Sequence, residues 1–318
     1  MTTRWTRGGL ALLLGITLGL GLLHLSGCNR AGPQGRHRYQ GNYPIRVVCT
    51  TGMVADLVRH VGGDRVEVIQ LMGEGVDPHR YKPSPGDVNQ LKKADAIFYS
   101  GRNLEGKMTD LFVRMAALKP TCAVTNGFPD KEVLEDVHGH YDPHLWFDVS
   151  LWSNGVGVVC AALSEFDPKN QAFYQENARP YQEELRKLHD RVGRELAQIP
   201  RERRVMVTAH DAFRYFGRAY NIEVRGIQGI STESEAGVKE INQLVDFLVQ
   251  RKIKAVFVET SVSDKNIQAL IDGCAARGHT VKNGGELFSD AMGKPGTREG
   301  TYAGMIEHNV RTIVKALK

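Results

Sequence analysis

The chain has 318 residues, 42% hydrophobic and 24% charged, with 41 Lys and Arg against 36 Asp and Glu and a formal net charge of +5. That length accommodates two cored units, and so small a basic surplus gives no case for nucleic acid as a partner. Five cysteines at scattered spacings match neither a zinc ribbon nor a disulfide framework.

At the N-terminus, Arg4 and Arg7 precede an apolar run from about Gly8 to Leu23. The run is short for a membrane span and ends in small residues, the pattern of a secretory leader over 1–27. Leu25-Ser26-Gly27-Cys28 resembles a bacterial lipobox, which implies lipidation at Cys28. The expected location is therefore outside the cytoplasm, lipid-anchored to the cell membrane on its periplasmic or extracellular face. Residues 28–44 are rich in Gly, Pro, Asn and Arg without apolar periodicity, and read as a flexible tether. Losing Arg4 and Arg7 with the leader leaves 39 basic side chains against 36 acidic. Cys49, Cys122, Cys160 and Cys274 read as small buried residues.

Beyond the tether, strand and helix patterns alternate in two series. β-rich runs occur at 45–51, 65–72, 95–101 and 121–127, then at 204–210, 222–227, 255–260 and 279–284, with helical spacing between them. Continuous apolar strands alternating with helices imply parallel sheets covered on both faces. The fold class is α/β, with two lobes of about four strands each, an N-terminal lobe over 45–168 and a C-terminal lobe over 200–318. Between them, over 169–199, Tyr174, Ala178, Tyr181, Leu185, Leu188, Val192 and Leu196 repeat every three or four residues. They mark one face of a long linker helix, a strut rather than a loose hinge, with Pro180 as a place for a kink.

Gly101, Gly106 and Lys107 nearly spell a phosphate-binding loop, but Met108 stands where the magnesium-binding hydroxyl is needed. Nucleotide binding is set aside.

The tripeptide Asp-Pro-His occurs twice, at 77–79 and 142–144. Proline stiffens each corner, so each presents its imidazole from a fixed turn. In open parallel sheets ligands bind beyond the carboxyl ends of the strands. That rule selects His79 after the second strand, His144 after the fourth, His210 at the end of the fifth and Asp290 past the last. Across a cleft between the lobes, three imidazoles and one carboxylate would converge on a metal. Asp77 and Asp142 read as organisers of their turns. His138 and His140, in the short HGH loop before His144, are possible accessory ligands or a polar turn. His60, His189, His279 and His308 carry no partner spacing.

GVDPHRYKPSPGDV, DPHLWFDVSLW, TAHDAFRYFGRAY and GGELFSDAMGKPGTREGTY resemble the TroA-type branch of the zinc and manganese solute-binding lipoproteins of bacterial ABC transporters, from about residue 45 to the C-terminus. The resemblance implies two Rossmann-like lobes, one long connecting helix and a divalent metal between the lobes on His79, His144, His210 and Asp290. It implies a membrane permease with a separate ATPase subunit as partners, and a monomer that is not an enzyme. The chain departs from zinc-dedicated members, which often carry a long histidine-rich loop where only HGH stands here. It also departs from manganese-associated members, which often have Glu at the place of His210. Three imidazoles and a carboxylate favour Zn2+, with Mn2+ next and Fe2+ third. The competing readings are a surface adhesin lipoprotein and a zinc-dependent hydrolase with Glu259 as its base. The hydrolase lacks HExxH, and four protein ligands leave little room for a reactive water.

Overall fold

The computed structural model describes residues 38–318. The expected leader, the lipidation site Cys28 and the tether up to residue 37 lie outside the described residues. The rest of the tether is held rather than free. Tyr39 donates its N–H to the Phe166 carbonyl at 2.7 Å, and the Tyr43 hydroxyl bonds the buried Asp167 at 2.9 Å.

In the first lobe β1 (Ile45–Cys49), β2 (Val66–Gln70), β3 (Ala96–Tyr99) and β4 (Thr121–Ala123) form one parallel sheet in the order β2-β1-β3-β4. Parallel neighbours need crossovers, supplied by α1 (Gly52–Gly62), α2 (Pro85–Lys93) and α3 (Thr109–Ala116). The start of α2 is written in SPGD. Ser84 and Asp87 form a reciprocal capping box, and Pro85 occupies the first turn, where no N–H is missed. The fourth strand is shorter than its apolar run. After Ala123 the chain enters a 3-10 turn over Val124–Gly127, because both the N–H and hydroxyl of Thr125 bond the Ser100 carbonyl. Two further helices, α4 (Val149–Trp152) and α5 (Asn154–Phe166), complete the lobe.

The linker helix α6 (Gln171–Leu196) has 26 residues and buries Tyr174, Ala178, Tyr181, Leu185, Leu188, Val192 and Leu196, the seven positions of the sequence stripe. Pro180 lies inside it. At 1.5 Å per residue it extends roughly 39 Å, long enough to brace both lobes.

The second lobe contains β5 (Val205–His210), α7 (Arg214–Tyr220), β6 (Glu223–Gln228), α8 (Val238–Arg251), β7 (Ala255–Glu259), α9 (Lys265–Ala276), β8 (Lys282–Leu287) and α10 (Tyr302–Leu317). Its strands form two parallel pairs, β5–β6 and β7–β8, with β5 lying against β7. The last strand starts and ends about three residues later than its apolar run suggests. It incorporates Gly284 and Gly285, at which a Cβ would press on Phe257, Ala316 and Thr312. Glycine stands here because α10 packs too closely for a side chain.

Strand alternation divides the core. Ile45, Val47 and Cys49 of β1 face one large cluster, while Val48 faces a smaller one with Leu91, Ile97 and Phe112. Met206 of β5 joins the large cluster, and Val205, Val207 and Ala209 face a third with Leu244, Leu248 and Leu270. The large cluster includes α6 and α10, so both lobes share one continuous apolar interior. Asp56 of α1 ties it together. Its carboxylate accepts the Tyr181 hydroxyl from α6 and the Tyr302 N–H at the start of α10. Lobes joined this way can tilt only modestly without breaking packing.

Candidate metal centre

Four corners of the two lobes meet at one point. His79 and His144 follow their Asp-Pro turns in the first lobe, His210 is the last residue of β5, and Asp290 stands three residues beyond β8. One ligand atom from each lies within 4.8 Å of all the others, and all four side chains are buried. The Nε2 atoms of His79 and His144 are 3.2 Å apart. Asp290 Oδ1 lies 3.5 Å from His144 Nε2, and Oδ2 lies 3.7 Å from His79 Nε2 and 3.2 Å from His210 Nε2.

Outer partners fix the ring orientations. His144 Nδ1–H donates to Asp142 Oδ1 at 2.8 Å, and the same oxygen accepts the His144 backbone N–H at 3.1 Å. Glu259, at the end of β7, accepts His210 Nδ1–H at 2.6 Å through one oxygen and the His210 backbone N–H at 2.9 Å through the other. With Nδ1 donating to a carboxylate, each ring turns its Nε2 inward. Asp77 Oδ1 accepts the His79 N–H at 2.9 Å. Asp290 is set through its backbone: Asn309 of α10 bonds both the N–H and the carbonyl of Phe288, and Trp146 donates to the Ser289 carbonyl at 3.1 Å.

The centre is polar, buried and unsatisfied. Both Asp290 carboxylate oxygens and His210 Nε2 lack a hydrogen-bond partner, although Asp290 Oδ2 and His210 Nε2 lie 3.2 Å apart. Burying such groups unpaired costs several kcal/mol, so the donor set calls for a cation at its focus. Electrostatics agree. Burial opposes ionisation of Asp290, but His210, His144 and His79 hold its carboxyl well below the usual range. Burial likewise opposes charge on His210, yet Glu259 and Asp290 outweigh it and raise that imidazole well above its ordinary value. His79 is pushed down to about 3, chiefly by burial. It remains neutral, the state in which an imidazole can bind a metal.

His138 and His140 lie apart from this cluster. Both are exposed, and His140 Nδ1 is paired with Asp136 at 3.0 Å. Glu259 is engaged twice by His210, which leaves it a support for that ring rather than a free base. Asp142 likewise does more than shape its turn. The rule that selected strand ends reaches Glu259 as well as His210, but which end residue faces the centre and which lies behind it depends on side-chain direction. Asn309 carries no local signal of its role, since it lies mid-helix and meets Phe288 only through the packing of α10.

Comparison with known proteins follows the same lines. Residues 47–316 match the family described as zinc-uptake complex component A, periplasmic. The chain is 46% identical over 275 residues to the manganese-binding lipoprotein MntA of Bacillus subtilis, covering 86% of this chain and 90% of that protein. It is 44% identical over 307 residues to the zinc-binding protein TroA of Treponema pallidum, covering 96% and 97%. The solved structure of the periplasmic zinc binding protein TroA from Treponema pallidum superposes with a TM-score of 0.85 at 46% identity, covering 86% of this chain and 99% of that one. These relatives are named for binding metal, and none of them for an enzymatic activity.

Proposed function

Because the chain belongs to the periplasmic zinc-uptake component A family, the metal-binding proteins of ABC importers, we propose that it captures a divalent transition metal, zinc before manganese, on His79, His144, His210 and Asp290. It is a binding protein and not an enzyme. The observation that carries the proposal is the meeting of four buried ligand atoms within 4.8 Å, with both Asp290 oxygens unpartnered.

Three nitrogens and one carboxylate suit a borderline ion, and zinc outranks manganese at nitrogen sites. Metal bridges the lobes, since His79 and His144 come from one and His210 and Asp290 from the other. Binding therefore favours the closed arrangement of two existing states. Held by lipid on Cys28, the protein takes metal from its surroundings and hands it to a membrane permease powered by a separate ATPase. His138 and His140 stand outside this ligand set.

Equilibrium dialysis against zinc and manganese at equal free concentrations tests the assignment. Zinc should be retained in a one-to-one complex, and His79→Ala or Asp290→Ala should abolish retention. Manganese in excess over zinc would reverse the order of metals. Metal retention unchanged in both alanine variants would overturn the site.

A further inference from the structure

Of the four corner residues, His79 is the most exposed, at 5%, and its carboxylate partner Asp77 bonds its backbone N–H and not its ring. Glu259 and His210 belong to one lobe; Asp142, on the ring of His144, is also met from the second lobe by the Tyr215 hydroxyl, on its carbonyl at 2.9 Å, and by Arg214 at 3.5 Å. Asp77, which holds His79 through Oδ1, is itself held from across the cleft: its Oδ2 accepts the hydroxyl of Thr232 at 2.6 Å. Thr232 lies in the second-lobe loop between β6 and α8, and is 2% exposed. That loop folds back on its own lobe through Gln228, whose amide donates to the Ser234 carbonyl at 2.9 Å.

Neighbouring contacts run the same way. The first-lobe loop that carries Asp77 rests on the second lobe at Gly75, where a Cβ would stand 3.3 Å from the Thr260 carbonyl, at a φ of 69°. Arg80 pairs with Glu235 at 3.6 Å, and Lys107 pairs with Glu233. Both ion pairs are exposed and contribute little. The Thr232–Asp77 bond is half-buried and ends on a carboxylate, so it is the contact whose loss is felt.

We propose that Thr232 and Asp77 form a cross-lobe clasp that sets how fast metal leaves the site, with His79 as the ligand released first. The inference rests on the metal-binding reading above and deepens it. While the clasp is made, Asp77 keeps His79 over the cleft. When the lobes tilt apart, Thr232 withdraws, the Asp77 corner loses its anchor, and His79 moves with it. His144 and His210 keep carboxylates on their rings from their own lobes, and Asp290 keeps Asn309 in its own lobe beside the cross-lobe tie to Trp146. Thr232 and Asp77 are positioning residues, and neither touches the ion.

The test uses the full purified chain loaded with Zn(II), mixed rapidly with excess chelator, and reads the rate of zinc transfer. Thr232→Val, which keeps the shape and removes the hydroxyl, should speed dissociation about tenfold or more. Thr232→Ser should restore the slow rate, which a packing role would not require. Asp77→Asn should also dissociate fast, and the double variant with Thr232→Val no faster than Asp77→Asn alone, because both act through one bond. Glu235→Gln at the exposed rim should leave the rate within about twofold of the unaltered chain. A Thr232→Val chain that binds zinc and releases it at the unaltered rate overturns the clasp, as does a Thr232→Ser chain as fast as Thr232→Val. A chain that never takes up zinc refutes the metal-binding reading itself, and the clasp with it.

Discussion

Trp146 of the first lobe donates its indole N–H to the carbonyl of Ser289 in the second, 3.1 Å away and one residue before Asp290. The indole is fully buried, and the Tyr302 hydroxyl holds the Trp146 carbonyl in turn at 2.7 Å. Replacing Trp146 with Phe keeps much of the packing but strands a buried carbonyl, at a cost of about 1–3 kcal/mol. Thermal unfolding should show the loss. Zinc titration should show affinity reduced about tenfold, because the backbone that presents Asp290 is no longer fixed.

Glu259→Gln tests the support of His210. The amide oxygen can still accept from His210 Nδ1, but the NH2 then replaces the oxygen that accepts the His210 backbone N–H, and the charge that raises ligand basicity is gone. Removing such outer partners typically lowers metal affinity 10- to 100-fold. Chelator competition should find a loss in that range. A loss matching that of His210→Ala would assign Glu259 to the ligand set instead.

Gly226 of β6 lies against the end of β5, where an added Cβ would stand 2.6 Å from the His210 carbonyl carbon and also meet the Asp211 nitrogen. Backbone cannot yield as a flexible side chain can. Gly226→Ala should therefore destabilise the chain by about 1–3 kcal/mol and displace His210 as well. Denaturant unfolding measures the first effect, and zinc titration of the folded fraction the second.

Metal affinity should weaken as pH falls, with the sign set by His210. Glu259 and Asp290 overcome its burial and favour the protonated ring in the metal-free protein, so metal must displace a proton there. His79, already held at about 3, adds no competition near neutrality. Affinity should rise steadily between about pH 5.5 and 8. Calorimetry in buffers of different ionisation enthalpy should register net proton release on zinc binding. A flat profile across that range would contradict competition at the imidazoles.

Much of the arrangement was legible because local rules and tertiary packing agree. The stripe from Tyr174 to Leu196 is buried as its spacing requires, since one face of a long helix has only the core to meet. The two Asp-Pro-His corners and His210 were legible because stiff turns and strand ends restrict where a side chain can point. The ends of β4 and β8 were less so. Thr125 is drawn out of the strand by the Ser100 carbonyl, and Gly284 and Gly285 enter one because α10 lies against them. Neither contact leaves a mark in its own segment.

The amino-acid order alone determined the alternation of elements, the helix faces and which residue types reach the cleft, all of which follow from periodicities of two and 3.6 and from fixed backbone angles. Tertiary structure decided the pairings: Glu259 with His210, Asn309 with Phe288, and Thr232 with Asp77 across 155 positions of chain. Such contacts depend on side-chain direction and on how two lobes share one core. Both are fixed only when the whole chain has packed, because no short segment contains both partners.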